Sequence, residues 1–369
     1  MLNIGIIGAG GVGSTAAFAL IMRGVARKVV LIDQNAKRAE AEAEDIAHAT
    51  PFAYANKIKA GTYKDLENTD VVIITAGANQ KPGETRNDLL ATNVKIFESI
   101  IPQLAEHAPN AILVIASNPM DVMTSVAIKL SGFPENRVFG SGTVLDTARF
   151  RTLLGYHLGV SPKSLHANVL GEHGDSEVLI WSNAVAGTVQ LEQLSKDLDR
   201  PLTEEVKNEI DDNVRNAAYK IIDGKGSTTF GIAGALCRIC QAIDSNEYAI
   251  LNVSALHHEV EGVKDICMSM PCVIGKRGIH NRLYPTFSEE EHAKLKQSAE
   301  TIKGFTETAL NYIKKELFFP LQQTPGAIRG FKFIYRVFCG NFPLPGKPRQ
   351  AKHQSHPPSE LKSLIAGFA

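Results

Sequence analysis

The stretch from Ile4 to Asp33 constrains the fold more than any other, because it reads as a strand, a glycine turn, a helix and a second strand closed by an acid. Ile4 to Gly8 is a short apolar run, and Gly8, Gly10 and Gly13 follow at G-x-G-x-x-G spacing. The first glycine permits a tight turn, the second lets backbone approach a pyrophosphate, and the third lets the helix sit close on a sheet. A helix starting there offers unpaired N–H groups and a positive dipole end to phosphates. Its residues Ala16, Ala17, Phe18, Ala19, Leu20 and Ile21 are apolar, as expected of a helix buried against a parallel sheet. Val29 to Ile32 supply the next strand, and Asp33 ends it 20 residues after Gly13. A turn that is merely glycine-rich would share the spacing but not the flanking strand, helix and acid. Asp33 can accept hydrogen bonds from both hydroxyls of an adenosine ribose and repels a 2′-phosphate, which favours NAD over NADP; Arg38 nearby weakens that preference.

The rest of the first 140 residues repeats the theme. Lys37 to His48 is predicted helical, Lys57 to Ala60 a short strand, and Val71 to Gly77 a buried parallel strand entering a ligand loop. Ala111 to Ala116 repeats that pattern before Ser117-Asn118-Pro119, and Arg137 to Gly140 is a sixth strand. Alternating strands and helices with small polar residues at the strand ends predict an α/β fold, a Rossmann doubly wound parallel sheet over residues 1–140. From 141 the pattern becomes α+β and predicts a second domain over 141–317: a helix from Thr143 to Leu158, a strand to Leu170, long helices, short strands at Leu251–His257 and Val263–Ile274, and a helix from Ser288 to about Leu317.

Composition narrows the class. At 369 residues the chain is long enough for two cores, and a formal net charge of zero gives no reason to expect nucleic acid or a membrane surface as partner. Five cysteines form no disulfide framework and point to a reducing compartment. With the first strand under way by Ile4 and no run of membrane-spanning length, a cytoplasmic protein is expected. Residues 318–369 differ: they hold 7 of the 17 prolines and 7 Lys/Arg against one Glu, while residues 1–317 hold 32 basic against 38 acidic residues. This atypical C-terminal extension reads as an appended, disordered tail, with a basic aromatic patch at Arg329–Phe338 as the alternative.

The stretch Asn168-Val-Leu-Gly-Glu-His173-Gly-Asp175 carries the most unusual chemistry. A histidine among glycines after an apolar strand has room for a substrate, and its ordinary pKa near 6.5 suits proton transfer. Asp146 and Arg149 stand i, i+3 on one helix face, where the carboxylate can hold an imidazole and the guanidinium can grip a substrate carboxylate. An ordinary helix-surface ion pair satisfies the same spacing. Gly77 to Arg86 forms a Gly/Pro loop bearing an arginine that can fold over a crevice, and Asn118 ends the next strand.

Taken together, Gly8–Gly13, the Asn79–Arg86 segment, Ser117-Asn118-Pro119, Thr143–Arg149 and Gly171–Asp175 resemble the NAD-dependent L-lactate/malate dehydrogenase family, closest to its bacterial L-lactate members. The resemblance covers residues 1 to about 317. It implies reversible hydride transfer between NADH and pyruvate giving L-lactate, with His173 as proton donor and acceptor, Asp146 as its orienting carboxylate and Arg86 polarising the carbonyl. It implies that Arg149 binds the substrate carboxylate, with Gln80, Asn118 and Thr228 on the substrate side. Gly8, Gly10, Val12, Gly13, Asp33, Arg38, Tyr63, Gly77, Ala78, Ser99, Ser117, Ser141 and Ile232 fall where the family contacts NAD. Malate enzymes carry an arginine at the position of Gln80, so the amide favours pyruvate; Lys81 beside it keeps malate dehydrogenase as an alternative, as is a non-catalytic NAD-binding protein. Arg151 and His166 match the positions that bind fructose 1,6-bisphosphate between subunits in bacterial members, which implies a homo-oligomer, a tetramer, with allosteric control and a place in glycolysis or fermentation.

Two clusters carry bland expectations. Cys237 and Cys240 have C-x-x-C spacing, with Cys267 and Cys272 following, but they lie in apolar runs and are expected to be core thiols; no metal is expected. His257-His258-Glu259 is expected at the surface of an alternating strand.

Overall fold

In the computed structural model the described residues are 1–54, 57–78 and 85–318, the side chains of Arg86 and of 314–318 excepted. Gln80 and the extension beyond Phe318 therefore lie outside the described residues. The first half runs β1 (Leu2–Ile7), α1 (Gly11–Met22), β2 (Ala26–Ile32), α2 (Ala36–Ala49), β3 (Lys57–Ala60), β4 (Val71–Ile74), α3 (Arg86–His107), β5 (Ile112–Ile115), α4 (Met120–Ser131) and β6 (Val138–Gly140). These six strands pair in parallel in the order 3-2-1-4-5-6, with Ile4 of β1 between Val29 of β2 and Val71 of β4. This is the doubly wound Rossmann arrangement, whose ligand crevice opens where the strand order reverses, at the C-terminal ends of β1 and β4.

The second half runs α5 (Val144–Leu158), β7 (Leu165–Leu170), β8 (Val178–Ala186), β9 (Val189–Gln190), α6 (Leu191–Asp197), α7 (Glu204–Arg215), α8 (Ala217–Lys225), α9 (Phe230–Asp244), β10 (Ala249–Val260), β11 (Val263–Gly275), β12 (Gly278–Arg282) and α10 (Glu289–Phe318). β10, β11 and β12 extend the parallel sheet in antiparallel fashion, Ser254 of β10 facing Gly140 of β6. β7, β8 and β9 form a separate three-stranded antiparallel sheet.

Several sequence expectations need correction. Long helices were expected directly after Leu170, yet β8 comes first, paired along β7 and packed on α5 through Phe150 and Trp181, whose rings meet edge to face at 4.7 Å. The strands after residue 249 are long rather than short, because Glu261 and Gly262 both take positive φ and close a tight hairpin that pairs β10 with β11 from end to end. Phe18 is exposed, although its neighbours on α1 are buried: one side of that helix faces the sheet and another faces α9, and Phe18 points to neither. His257 is fully buried, its Nδ1 3.0 Å from the Tyr284 hydroxyl, and burial pushes its pKa down to about 3; only His258 and Glu259 reach the surface. Cys237, Cys240, Cys267 and Cys272 are buried, as expected of core thiols.

Apolar side chains on the two faces of the parallel sheet make two cores, one under α3, α4 and α10 and one under α1 and α9. A third core joins α5 and α7 to the β7–β8 sheet through Phe150, Leu154, Val169, Leu179 and Val214. The helix of the nucleotide turn depends on close approach: a Cβ at Gly13 would lie 1.9 Å from the carbonyl oxygen of Gly8. Gly13→Ala is therefore expected to displace α1 from β1 at a cost of about 1–3 kcal/mol, as overpacking does. Urea denaturation with a lowered midpoint would bear this out; an unchanged midpoint would mean that the helix seats without that glycine.

Candidate active site

Position is fixed before chemistry. Thr143 and Thr147, one turn apart on and before α5, hold the end of β7: the Thr143 hydroxyl donates to the Val169 carbonyl, and the Thr147 hydroxyl accepts from the Val169 N–H at 3.0 Å. Asn252 of β10 donates to Thr147 Oγ1 at 2.9 Å and to Asn168 Oδ1 at 3.0 Å, so three elements meet at one buried polar knot. The chain then turns at Gly171, where φ is +90° and a side chain would be strained. From there each backbone N–H finds a different element. Gly171 donates to the Ser269 carbonyl at 2.9 Å, Glu172 to the Ser298 hydroxyl at 2.8 Å and His173 to Asp121 Oδ2 at 2.8 Å.

This loop sets the His173 imidazole against α5. Its Nδ1 lies 2.6 Å from Asp146 Oδ2, while Arg149 Nη1 donates to Asp146 Oδ1 at 2.7 Å. Asp146 is 1% exposed and His173 is 23% exposed, so the acid is sealed inside and the base reaches the crevice. Burial opposes charge on Asp146, but the His173 charge, its hydrogen bond and Arg149 outweigh it and hold the carboxyl below the usual range. The Asp146 charge in turn raises the His173 pKa to about 9 against the opposing effect of burial. Asp146, Arg149 and His173 are thus brought together, whereas spacing alone favoured an ordinary helix-surface ion pair; the Asp146–Arg149 pair forms, but buried and with His173 on its other oxygen.

Two further buried carboxyl groups escaped the sequence reading. Asp121, in the first turn of α4, is 2% exposed, and burial raises its pKa to about 6. Glu177, just past His173, is 4% exposed and is pushed up to about 8, chiefly by burial and then by the Asp146 charge. Arg215 of α7 donates to the Asp175 and Glu177 carbonyls at 2.9 and 2.7 Å and pins that segment. A sequence signal for Asp121 existed: it stands two residues after Pro119 of Ser117-Asn118-Pro119, at the same sheet edge. Nothing local marks Glu177.

The nucleotide side is built from strand ends. α1 begins at Gly11 with Gly10 at its cap and no side chain capping it, so its first N–H groups face the crevice, and a Cβ at Gly10 would meet open space. These are the features a pyrophosphate needs. Asp33 accepts from the Ala9 N–H at 2.7 Å and the Asn35 N–H at 2.8 Å, which ties the acid to the glycine turn with lone pairs to spare for ribose hydroxyls. Asn93 of α3, fully buried and also missed in sequence, accepts from the Ala78 N–H at 2.7 Å and donates to the Asn118 carbonyl at 2.9 Å. It thereby ties the Gly77-Ala78 loop to the Asn118 loop, where the Ser117 hydroxyl donates to the Ala76 carbonyl at 2.6 Å. The Ser141 N–H donates to the Ile115 carbonyl at 2.8 Å. Val12 and Ile232 pack on the same core, and the segment holding half-buried Thr228 approaches the turn, since a Cβ at Gly11 would lie 3.1 Å from Thr229 Cγ2.

Other expected positions stand farther out. Arg38 is exposed on α2, Tyr63 is half-buried, and Ser99 is exposed on α3 with its hydroxyl on the Ile96 carbonyl at 2.7 Å. Arg86 opens α3 behind a Thr85–Asp88 capping box, but its side chain lies outside the described residues, as does Gln80. Arg151 Nε donates to the Ala167 carbonyl at 2.8 Å, next to exposed His166.

Comparison with known proteins identifies the family of this fold. Residues 2–140 match the lactate/malate dehydrogenase NAD binding domain, and residues 143–313 match the lactate/malate dehydrogenase alpha/beta C-terminal domain. The chain is 52% identical over 303 residues to the L-lactate dehydrogenase of Thermus aquaticus, covering 82% of this chain and 98% of that protein. It is 51% identical over 302 residues to that of Allorhizobium ampelinum, covering 82% and 97%. Among solved structures it resembles the minor L-lactate dehydrogenase of Enterococcus mundtii, with a TM-score of 0.80, 39% identity and coverage of 83% and 98%.

Replacing Asp146 with Asn would keep the shape and remove the charge. The His173 pKa is then expected to fall from about 9 by about two units, read from the pH dependence of its imidazole C–H resonance by NMR. Because the folded value lies above the roughly 6.5 of a free imidazole, the pair stabilises fully below about pH 6.5 and loses its contribution as pH rises through about 9. An unmoved resonance titration in the variant would show that Asp146 does not set the proton affinity.

Proposed function

The chain belongs to the lactate/malate dehydrogenase family, and from that premise we propose that it is an L-lactate dehydrogenase, transferring hydride reversibly between NADH and pyruvate to give L-lactate. The observation that carries this reading is the sealed Asp146 carboxylate holding His173 Nδ1 at 2.6 Å, with Arg149 on its other oxygen. In this reading residues 1–140 bind NAD and residues 141–317 hold the substrate.

The nicotinamide, when bound, supplies or takes the hydride. The glycine turn at Gly8, Gly10 and Gly13 and the α1 N-terminus hold the pyrophosphate, and Asp33 holds the adenosine ribose. Val12, Arg38, Tyr63, Gly77, Ala78, Ser99, Ser117, Ser141 and Ile232 complete the cofactor surface. Arg149 grips the pyruvate carboxylate, with Asn118 and Thr228 beside it. Negative charge growing on the carbonyl oxygen is met by Arg86 and quenched by the proton that His173 gives from Nε2. Asp146 keeps the other ring nitrogen, Nδ1, protonated and orients the ring. Gln80, an uncharged amide, leaves a second substrate carboxylate unpaired, which disfavours oxaloacetate.

The same reading extends to assembly and control. Arg151 of α5 donates to the carbonyl of Ala167, beside exposed His166 on β7, and basic groups brought together across a symmetry axis repel until a phosphate dianion bridges them. Fructose 1,6-bisphosphate is the effector and a homotetramer the assembly it favours. The four buried thiols fit the reducing cytoplasm, where the enzyme serves glycolysis and fermentation. Among the described residues no helix is long and apolar enough to cross a membrane.

Steady-state oxidation of NADH with pyruvate and with oxaloacetate, each with and without fructose 1,6-bisphosphate, tests all of this. Pyruvate is expected to be preferred by about a hundredfold or more, the effector to lower the pyruvate KM, and His173→Asn to cut turnover by about a hundred- to ten-thousandfold with NADH binding intact. Reduction is expected to decline as pH rises toward about 9, where His173 loses its proton, while lactate oxidation rises over the same range. An oxaloacetate preference would move the chain to the malate branch. No turnover of either substrate would leave an NAD-binding protein without this reaction.

A further inference from the structure

The His173 loop is held by three successive backbone N–H groups, and the acceptors are not alike. Gly171 donates to a backbone carbonyl and Glu172 to a serine hydroxyl, both neutral. His173 alone donates to a carboxylate, that of Asp121, 52 residues earlier in the chain on α4. Burying a carboxylate is costly, and its neighbours show that neutral acceptors suffice to hold such a loop. Asp121 Oδ1 is buried with no hydrogen bond of ordinary geometry, and the nearby Ser254 hydroxyl and the His173 N–H only partly offset the cost of burying the charge.

Resting on the lactate dehydrogenase reading, we infer that Asp121 is a positioning residue for His173: it fixes the backbone beneath the imidazole and adds a second negative charge that helps the ring keep its proton. The two carboxylates divide the work by direction. Asp146 reaches the ring through Nδ1 from α5, and Asp121 reaches the same residue from its backbone side. The charged groups around His173 are Asp146 and Arg149 from α5, Asp121 from α4, and Glu172 and Glu177 from its own loop, with Arg215 of α7 behind Glu177. β11 contributes Ser269 and the Cys267 thiol, which burial pushes up to about 12, and α10 contributes Ser298; none of these titrates in this range. The field of Asp121 is present at neutral pH, since its pKa is raised only to about 6.

Two variants separate backbone anchor from charge. Asp121→Asn keeps an oxygen that can accept the His173 N–H but removes the charge; Asp121→Leu removes both. In the Asn variant the His173 imidazole C–H titration is expected to move down by about one pH unit. The pH at which pyruvate reduction falls is expected to move with it, while kcat below that pH stays near the parent's. In the Leu variant kcat/KM for pyruvate is expected to drop about ten- to a hundredfold while the fluorescence-determined NADH Kd is unchanged. Parent-like NMR titration and pH profile in the Asn variant would overturn the inference, as would a Leu variant that loses stability and NADH affinity but keeps the parent's kcat. If the Leu variant does not fold, the Asn titration decides alone. If the parent turns over no pyruvate, the functional reading fails, whereas the NMR shift in Asp121→Asn still reports whether Asp121 acts on His173.

Discussion

A carboxylate with 1% of its side chain exposed must be matched by positive charge and hydrogen bonds or it will take up a proton, and Asp146 is matched on both oxygens. That requirement links the two ends of the site. Arg149 comes from the same helix one turn on, so half of the match is local. His173 comes from the far end of β7 and reaches Asp146 only because Thr143 and Thr147 lock Val169 to α5 and because Gly171 can turn there. The polar knot at Asn252 then ties this pairing to β10, and through β10 to the parallel sheet that carries the nucleotide turn. Loosening any of these bonds would expose Asp146 or strand it without its partner.

Much of this was legible before the structure. The glycine turn, its strand and helix, and Asp33 are contiguous, so their geometry follows from local rules, and the doubly wound parallel sheet follows from alternating strands and crossovers, while its 3-2-1-4-5-6 order comes from the structure. Asp146 and Arg149 were legible as a helix pair, and His173 as a histidine with room around it. What sequence spacing could not supply was the contact between them, which spans 27 residues. The same reason hid Asn93, whose side chain joins two strand-end loops, and Asp121, whose partner is 52 residues away. His257 misled in the opposite way: alternation identified the strand, but β10 has its neighbours on both edges and Tyr284 to receive the imidazole, so the position is interior.

Charge balance explains why so acidic a pocket can suit an anionic substrate. Asp121, Asp146 and Glu177 are all nearly buried within reach of His173, and three negative charges would repel a carboxylate. Glu177, pushed up to about 8, is mostly protonated at neutral pH and drops out. Asp146 and Asp121 remain, against protonated His173 and Arg149; Arg215 is matched by its own ion pair with Asp211, and Glu172 is held by the Ser176 hydroxyl and N–H. His173 and Arg149 thus offset the two buried carboxylates, so an incoming monoanion such as pyruvate does not meet a net negative pocket. Of the guanidinium's five N–H donors, Asp146 takes one from Arg149, so the rest of the fork can meet a carboxylate in two parallel bonds. Loss of the His173 proton leaves one of those carboxylate charges unmatched, so protonation of the base and affinity for the substrate anion rise and fall together. On the proposed function the proton donor is thereby also part of the binding site, and the form ready to reduce is the form that best holds what it reduces.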